Sequence, residues 1–369
     1  MSNSNPKRIL ILFGGRSSEH EISLRSAQAV FERLDRAQYL PIGVGISRDG
    51  RWYVDQVPPA IASDPEKEVR LPLRWKEADW VLEPVRGSDS PISFDLVFPV
   101  MHGPLYEDGA LQGLFELCNL PFVGSGVAAS ALAMHKNFTK QLLSHHGIPV
   151  APAVVVKKAF WEGASETVQK EVSKQMKAPW FVKPSNMGSS VGVHRVNDLK
   201  SLDVAMKDAF QYDDVVLIEK GIQGREIELS VLENQDSQGG PLVSLPGEII
   251  SHHEFYSYEA KYIDEKGAEL VVPTDLESDL KQKAQKIAAH AFDALGCQGM
   301  ARVDLFIEKE TNEIFVNELN TLPGFTSISM YPKLWEASGI SFSELLDRLI
   351  QLGLQRHQAD QHLKRDWVD

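Results

Sequence analysis

The sequence is poor in cysteine and in positive charge, and it has no long apolar run. Its two cysteines, Cys118 and Cys297, do not form a Cys-x-x-Cys pair, so neither a disulfide framework nor a structural zinc site is predicted. The formal net charge of −13 argues against broad contact with nucleic acid or an anionic membrane, since both bind cationic surfaces. The run ILILF at 9–13 is too short for the core of a signal peptide, and no later run approaches a membrane span. We therefore expect a cytoplasmic protein that binds neither nucleic acid nor membrane.

The common nucleotide-binding signatures are also missing. The Walker pattern G-x-x-x-x-G-K-[ST] does not occur. The segment GSGVAA at 124–129 matches G-x-G-x-x-A, but a dinucleotide-binding fold places an acid about 20 residues further on, where this chain has none. A dehydrogenase is therefore not favoured, and any phosphate ligand must be held by local cations.

The order of sequence patterns predicts a parallel α/β region followed by α+β units. Strand and helix patterns alternate in the N-terminal third, which is typical of a parallel sheet with crossover helices. A single helix is predicted from 125 to 147, where a glycine ends it. Residues 57–92 mix proline, charge and tryptophan without a steady period, which indicates an irregular insertion with room for short strands.

The segment RVDLFIEKETNEIFVNELN reads as a hairpin with acids on one face. Because strand side chains alternate, a turn at Thr311 places Asp304 opposite Glu318, where two like charges destabilise the pair unless a cation lies between them. With Asn320, these residues offer the oxygen ligands that Mg²⁺ prefers. The alternative is a hairpin whose acidic face lies in water. Arg302 and the loop TLPGFTS add positive charge and free amides beside the acids, and they favour the metal site.

Lysines and a Gly/Ser loop are candidates for binding phosphate. In FVKPSNMGSSVGV, Lys183 ends a strand and Ser189 lies in the turn that follows, whose amides and hydroxyls can cradle phosphate oxygens. An ordinary hairpin turn explains this segment equally well. Lys136 precedes the unit on a helix, where a lysine is usually a solvated charge.

The segment VLIEKGIQGREIELSVL contains candidates for binding the rest of a nucleotide. Glu219 and Lys220 end a strand, and Glu226 follows a glycine-containing link. Such acids usually face solvent. Alternatively, Glu219 or its backbone meets an adenine edge and Glu226 accepts hydrogen bonds from ribose hydroxyls.

A strand-to-helix crevice near the N-terminus is a candidate for an ammonium group. In LFGGRSSEHEISL two glycines permit a tight turn before Glu19, and an acid in this crevice of an α/β sheet can bind a cationic ligand. Compensation of the helix dipole is the simpler explanation for Glu21. His102 follows another strand and falls in the same crevice, although a lone histidine is more often structural.

Several of these segments together resemble the D-alanine:D-alanine ligase family of the ATP-grasp superfamily. They are GGRSSEHEISL, MHGPLYEDGALQG, VKPSNMGSSVGV, YEAKY, ARVDLF and NELNTLPGFTSISMYP. The match runs in order over nearly the whole chain, but 57–92 and the C-terminal helix carry no resemblance. The implied fold is an N-terminal parallel α/β domain (1–124) followed by a two-part ATP-grasp fold (125–222 and 223–369).

The resemblance implies a ligase that phosphorylates one D-alanine with ATP and lets the amine of a second attack the acyl phosphate. The product serves peptidoglycan synthesis, and the family members are homodimers. The implied ATP contacts are Lys136, Lys183, Ser189, Glu219, Lys220, Glu226 and Lys261. The implied ligands of two Mg²⁺ ions, for which Mn²⁺ can substitute, are Asp304, Glu318 and Asn320. The implied catalytic and substrate-binding residues are Glu19, His102, Ser189, Tyr262, Arg302, Gly324, Ser329 and Met330.

The resemblance also distributes these last residues over the two substrates. Glu19, with His102 nearby, would bind the ammonium group of the first D-alanine. Arg302 and the Gly324 amide would stabilise the oxyanion. The carboxylate of the second D-alanine would bind to Ser329 and to the backbone amide of Met330. A hydrogen-bonded link across the site would consist of Ser189, Tyr262 and Glu19, and the segment SHHEFYSYEAKYIDEKGAEL would form a lid against water.

Two other functions fit parts of the pattern. One is an ATP-grasp ligase with a D-hydroxy acid acceptor such as D-lactate, for which Tyr262 in the lid is the discriminating residue. The other is a nucleotide-binding regulator without turnover, which should lack some metal or oxyanion residues. None of those residues is missing from this sequence.

Overall fold

The computed structural model describes residues 5–71, 80–85, 90–236, 239–251 and 267–364. Within these ranges the chain forms three β-sheets with helices packed on them. None of the described helices is both long and apolar enough to cross a membrane. The first sheet contains parallel strands and the other two are antiparallel, which confirms the predicted order of an α/β region followed by α+β units.

The N-terminal part of the chain forms one seven-stranded sheet. Its strands are β1 (Lys7–Gly14), β2 (Tyr39–Ile46), β3 (Trp52–Tyr53), β4 (Glu68–Arg70), β5 (Val81–Pro84), β6 (Ile92–Ser93) and β7 (Leu96–Val100). They lie in the order β6-β5-β4-β3-β2-β1-β7, with β1 parallel to both neighbours and helix α1 (His20–Arg33) between β1 and β2. The run ILILF in β1 is fully buried, because a parallel strand covered on both faces needs apolar side chains in both directions.

The described part of the insertion 57–92 extends this sheet. Strand β3, just before the insertion, pairs antiparallel with β4, and β4, β5 and β6 pair antiparallel in succession; a short 3-10 helix (Pro65–Lys67) precedes β4. Val69 and Leu82 are buried within it. Strands of two to four residues are too short to show an alternating pattern, which explains why the sequence predicts irregular structure here.

The prediction of a single helix from 125 to 147 is wrong, because the helix is interrupted at His135. Helices α2 (Ala110–Leu117), α3 (Val127–Met134) and α4 (Lys136–His145) follow β7. His135 has an extended backbone (φ −87°, ψ 91°), and its ring nitrogen accepts a hydrogen bond from the Phe138 amide at 3.4 Å, which caps α4. The break gives α4 its own N-terminus and places Lys136 in its first turn.

The middle part of the chain forms a four-stranded antiparallel sheet in the order β10-β9-β11-β8. The strands are β8 (Ala153–Lys157), β9 (Trp180–Pro184), β10 (His194–Val196) and β11 (Val215–Lys220), and the helices are α5 (Lys158–Gln175) and α6 (Leu199–Ala209). Asp198 caps α6 through the Ser201 amide, and Leu202 and Met206 lie on its buried face. Glu219 and Lys220 come at the end of β11, beside the third sheet.

The third sheet carries the predicted hairpin at one edge. Its strands are β12 (Gly224–Leu232), β13 (Leu242–Val243), β14 (Gly247–Ser251), β15 (Ala268–Val271), β16 (Met300–Glu308) and β17 (Ile314–Asn320). The main order is β15-β14-β12-β16-β17, and helix α7 (Ser278–Ala294) packs on it. The alternate residues Ile227, Leu229 and Val303 form its core with Ala288 of α7.

The last two helices connect the third sheet to the first. They are α8 (Met330–Ala337) and α9 (Phe342–Gln361). Leu345 and Leu349 of α9 belong to the same core cluster as Ile9 and Ile11 of β1. The domains 1–124, 125–222 and 223–369 stay a prediction, since this core runs across the first and last of them.

Candidate functional site

A cleft of about 1270 Å³ lies between the N-terminal sheet, the Gly/Ser loop and the face of the third sheet. The predicted site residues that line it are Glu19, His102, Ser189, Arg302, Glu318, Asn320, Gly324, Ser329 and Met330. They come from sequence positions more than 300 residues apart, and they meet because α8 and α9 pack against the first sheet. Lys261, Tyr262 and most of the predicted lid lie outside the described residues.

The hairpin forms with the predicted register. Asp304 pairs with Glu318 and Arg302 pairs with Asn320, with a bulge after Asp304. Arg302 donates from Nε and Nη2 to the two oxygens of Asp304, each at 2.7 Å, and the Asn320 amide donates to Asp304 Oδ2 at 3.1 Å. The buried Asp304 side chain is therefore held on both sides by Arg302 and Asn320, which line the cleft.

The three residues of this face are chemically suited to Mg²⁺. Asp304 and Glu318 supply hard anionic oxygens, and Asn320 supplies a neutral one. Within the described ranges no group of three or more His, Cys, Asp or Glu side chains is placed to hold a metal ion, and the set proposed here has two acids and one amide. Cations hold those acids instead: Arg302 binds Asp304, and Lys136 Nζ lies 4.0 Å from Glu318 Oε2.

Glu19 lies at the start of α1 and contacts the Gly/Ser loop. The Ser189 hydroxyl donates to Glu19 Oε1 at 2.5 Å, although the two residues are 170 positions apart. Ser189 has φ 50° and Ser190 has φ 58°, a left-handed conformation that is unfavourable for residues with a side chain and recurs at functional loops. Gly103 leaves room for this contact, since a Cβ there would lie 2.9 Å from Glu19 Oε2.

His102 is buried beside Glu19. Its Nε2 lies 3.3 Å from the Ser26 hydroxyl, and its Nδ1 lies 3.2 Å from the Leu322 carbonyl oxygen and 3.6 Å from Glu107 Oε1. Burial alone would lower the pKa of His102, but the Glu107 and Glu19 carboxylates raise it overall. Sequence reasoning missed Glu107, although it stands in the quoted block MHGPLYEDGALQG.

The loop after β17 supplies amides and a helix N-terminus to the cleft. Ser329 precedes α8 and Met330 begins it, so the Met330 amide is one of the free N–H groups that favour an anion. The Ser329 hydroxyl accepts from the Thr326 amide at 3.0 Å. A side chain at 324 would collide with it, since a Cβ on Gly324 would lie 2.7 Å from Ser329 Oγ.

A buried charge cluster lies at the contact between the middle and third sheets. Glu219 binds Lys183 Nζ at 2.8 Å and Lys140 Nζ at 3.2 Å. Burial would raise the pKa of Glu219, but the two lysines lower it to about 2. Lys183 also donates to Asn317 on β17 at 3.1 Å, which joins the two sheets. Lys140 is four residues after Lys136 on α4, and this spacing is the signal that could have predicted it.

The other predicted nucleotide residues lie around the same contact. Lys136 is only 11% exposed and donates to the Met187 carbonyl, so the expectation of a solvated helix charge is wrong. Lys220 pairs with Glu308 at 3.2 Å. Glu226 is half-buried on β12. Burial would lower the pKa of Lys183, but Glu219, with smaller contributions from Glu318 and Glu226, raises it.

Glu228 is a buried acid of the cleft that sequence reasoning missed. It lies opposite Asp304 across β12 and β16, and its Oε2 is 3.1 Å from Arg302 Nε. Burial would lower the pKa of Arg302, but Asp304 and Glu228 raise it well above its usual value. Glu228 lies two residues after Glu226 and alternates with the apolar residues Ile227 and Leu229, and this alternation was the available signal.

The parallel α/β sheet and the charged contact between two antiparallel sheets are features of the ATP-grasp class of ligases. The family model described as D-ala D-ala ligase N-terminus matches residues 8–125, and the one described as D-ala D-ala ligase C-terminus matches residues 142–351. The chain therefore belongs to the D-alanine:D-alanine ligase family.

Individual relatives agree with this assignment over nearly their whole length. The D-alanine–D-alanine ligase A of Bradyrhizobium diazoefficiens is 47% identical, over 98% of this chain and 98% of the relative. The structure of the D-alanine-D-alanine ligase from Coxiella burnetii has a TM-score of 0.84 at 40% identity and covers 97% of each chain. The VanG D-Ala:D-Ser ligase from Enterococcus faecalis has a TM-score of 0.82 at 34% identity, over 95% of this chain and 100% of its own.

Proposed function

We propose that this chain is an ADP-forming D-alanine:D-alanine ligase, which joins two D-alanines through a D-alanyl phosphate and supplies a precursor of peptidoglycan. Family membership over nearly the full length supports this proposal. The observation that carries it is the meeting of Glu19, Arg302 and the N-terminus of α8 in one cleft. These groups are complementary to an ammonium, an oxyanion and a carboxylate.

The first half-reaction joins phosphate to the first D-alanine. Glu19 binds the ammonium group of the first D-alanine. The hydrogen bond from Ser189 holds the Glu19 carboxylate in place for this contact. Lys136, Lys183 and the Gly/Ser loop hold the phosphates of ATP. A carboxylate oxygen of the amino acid then attacks the γ-phosphorus, and ADP leaves.

The proposal also includes two metal ions. Asp304, Glu318 and Asn320 would hold two Mg²⁺ ions, for which Mn²⁺ can substitute. Bound Mg²⁺ neutralises the charge that shifts along the phosphates during transfer. The support is the chemistry of the donors and their common face on β16 and β17.

The second half-reaction forms the peptide bond. The second D-alanine binds its carboxylate at Ser329 and the Met330 amide, and its amine attacks the carbonyl carbon of D-alanyl phosphate. Arg302 and the Gly324 amide stabilise the oxyanion of the tetrahedral intermediate, which then releases phosphate. The family resemblance would add Tyr262, which lies outside the described residues, to the link between Ser189 and Glu19.

An amino acid is the favoured acceptor. The relative at 47% identity is named a D-alanine–D-alanine ligase, so D-lactate is not favoured as the natural acceptor. The structural relative at 34% identity is named a D-Ala:D-Ser ligase. We also propose a cytoplasmic homodimer, on the family resemblance, and sedimentation velocity would test its mass.

The direct test is phosphate release with a panel of D- and L-amino acids and D-lactate. We expect release with D-alanine and a dialanine product in mass spectra, with little release for L-amino acids or D-lactate as acceptors. Phosphate release that does not depend on D-alanine, or no release with it, would contradict the proposed function.

A further inference from the structure

Arg302 lies between two buried carboxylates that reach it from neighbouring strands. Asp304 is two residues further along β16 and shares its face, and Glu228 stands directly opposite Asp304 on β12. The side chains of Glu228 and Asp304 are 4% and 5% exposed. Two acids around one guanidinium are more than neutrality requires, and burying a charge is costly unless it is well paired.

The two acids contact the guanidinium differently. Asp304 accepts two hydrogen bonds from the edge of the guanidinium formed by Nε and Nη2, each at 2.7 Å. Glu228 Oε2 lies 3.1 Å from the same Nε and forms an ion pair with it. An Nε–H that turns away from Asp304 therefore has a second carboxylate within reach.

Asp304 has a second task in the proposed function. Its oxygens would be shared with Mg²⁺, which weakens their hold on Arg302. A guanidinium is planar and its donors are fixed in a fork, so the partner on the Nε edge determines where the other donors point. Glu228 stands beside Asp304 on the neighbouring strand, but it is not one of the proposed metal ligands, and it forms its own ion pair with Arg302.

We propose that Glu228 is a positioning residue, which holds the Arg302 guanidinium in the orientation required by the oxyanion while Asp304 serves the metal. This inference rests on the proposed ligase function. It assigns Glu228 no contact with substrate. A purely structural counter-charge would affect folding but would not select one half-reaction.

The variant Glu228→Gln tests this role, because it removes the charge and preserves the size of the side chain. Its matched control is Glu248→Gln. Glu248 lies on β14 of the same sheet and binds Arg225 at 2.8 and 2.6 Å, but it does not line the cleft. Thermal unfolding of both variants gives the fraction of folded enzyme at the assay temperature. The kinetic constants are then calculated per folded enzyme.

We expect kcat of Glu228→Gln to fall about 10- to 150-fold, the range for a lost hydrogen bond to a charged group, while KM for ATP changes less than about twofold. Glu248→Gln should keep the wild-type kcat. In ATP labelled with ¹⁸O at the β,γ-bridge, reversible acyl phosphate formation scrambles the label. The ratio of scrambling to net ADP release should rise in Glu228→Gln, because the later step is slowed.

Crystal structures with ADP, Mg²⁺ and a phosphinate mimic of the intermediate supply a measurement without turnover. The Arg302 guanidinium should contact Glu228 in the wild type and shift in Glu228→Gln. An unshifted guanidinium, an unchanged kcat, or a lower kcat with an unchanged scrambling ratio would overturn the inference. Absence of dipeptide synthesis in the wild type would contradict the proposed ligase function. The crystal comparison would still test the contact between Glu228 and Arg302.

Discussion

Glu219 offers a prediction whose magnitude follows from the structure. The variant Glu219→Gln leaves Lys140 and Lys183 buried side by side without their shared counter-charge. A pKa lowered from 4.5 to about 2 corresponds to about 3 kcal/mol of stability, at about 1.4 kcal/mol per pKa unit. Removal of one partner from a buried pair costs roughly 3 to 5 kcal/mol. We therefore expect the free energy of unfolding at neutral pH to fall by roughly 3 to 5 kcal/mol.

The pH dependence of this effect has a definite sign. The folded state lowers the pKa of Glu219, so its stabilisation is fully present above the unfolded value of 4.5 and is lost as pH falls through the folded value of about 2. Urea unfolding followed by tryptophan fluorescence should show a constant gap between wild type and Glu219→Gln from neutral pH down to about pH 5. Below that pH the gap should narrow.

Two further variants make the test specific. Glu308→Gln breaks the Lys220–Glu308 pair, in which Lys220 is 40% exposed, and should change the free energy of unfolding much less than Glu219→Gln does. Lys140→Met in the Glu219→Gln background removes one of the two repelling lysines and should restore part of the stability. A loss below about 1 kcal/mol in Glu219→Gln, or a double variant less stable than Glu219→Gln, would refute the reasoning.

Three other predictions concern catalysis. Glu318→Gln should abolish dipeptide synthesis and leave circular dichroism unchanged, so near-normal turnover at ordinary Mg²⁺ would remove Glu318 from the metal site. A phosphinate mimic of the dipeptide intermediate should inactivate the enzyme slowly and only with ATP, because it must be phosphorylated to resemble the transition state; immediate inhibition without ATP would oppose an acyl phosphate route. Tyr262→Phe should weaken dipeptide synthesis and gain D-alanyl-D-lactate at low pH, where the competing amine is protonated, and an unchanged product ratio would locate acceptor choice elsewhere.

The sequence predicted best those features that depend on neighbouring strands and turns. Alternation along two strands and a short polar turn placed Asp304 opposite Glu318, and the structure has this pairing. Alternating strands and helices likewise predicted the parallel pairing of β1. Both features follow from local pattern because the paired segments are close in sequence or connected by regular crossovers.

The family resemblance implied the distant contact between Ser189 and Glu19, but two other long-range contacts were not predicted. Lys140 meets Glu219 across 79 positions, and Glu228 meets Arg302 across 74, so no local pattern joins either pair. The break at His135 was also missed, because its ring caps α4 from within an otherwise helical pattern. The short strands β3 to β6, in and beside the insertion, lack a period, and their pairing continues outward from the long strand β2.

The measurement that tests the central proposal most directly is the fate of the carboxylate oxygen of D-alanine. D-Alanine labelled with ¹⁸O in its carboxylate is incubated with enzyme, ATP and Mg²⁺, and the released phosphate is analysed by mass spectrometry. If the first D-alanine is activated as D-alanyl phosphate, one labelled oxygen passes to phosphate for each dipeptide formed. Dipeptide accompanied by unlabelled phosphate would contradict the proposed route through this cleft.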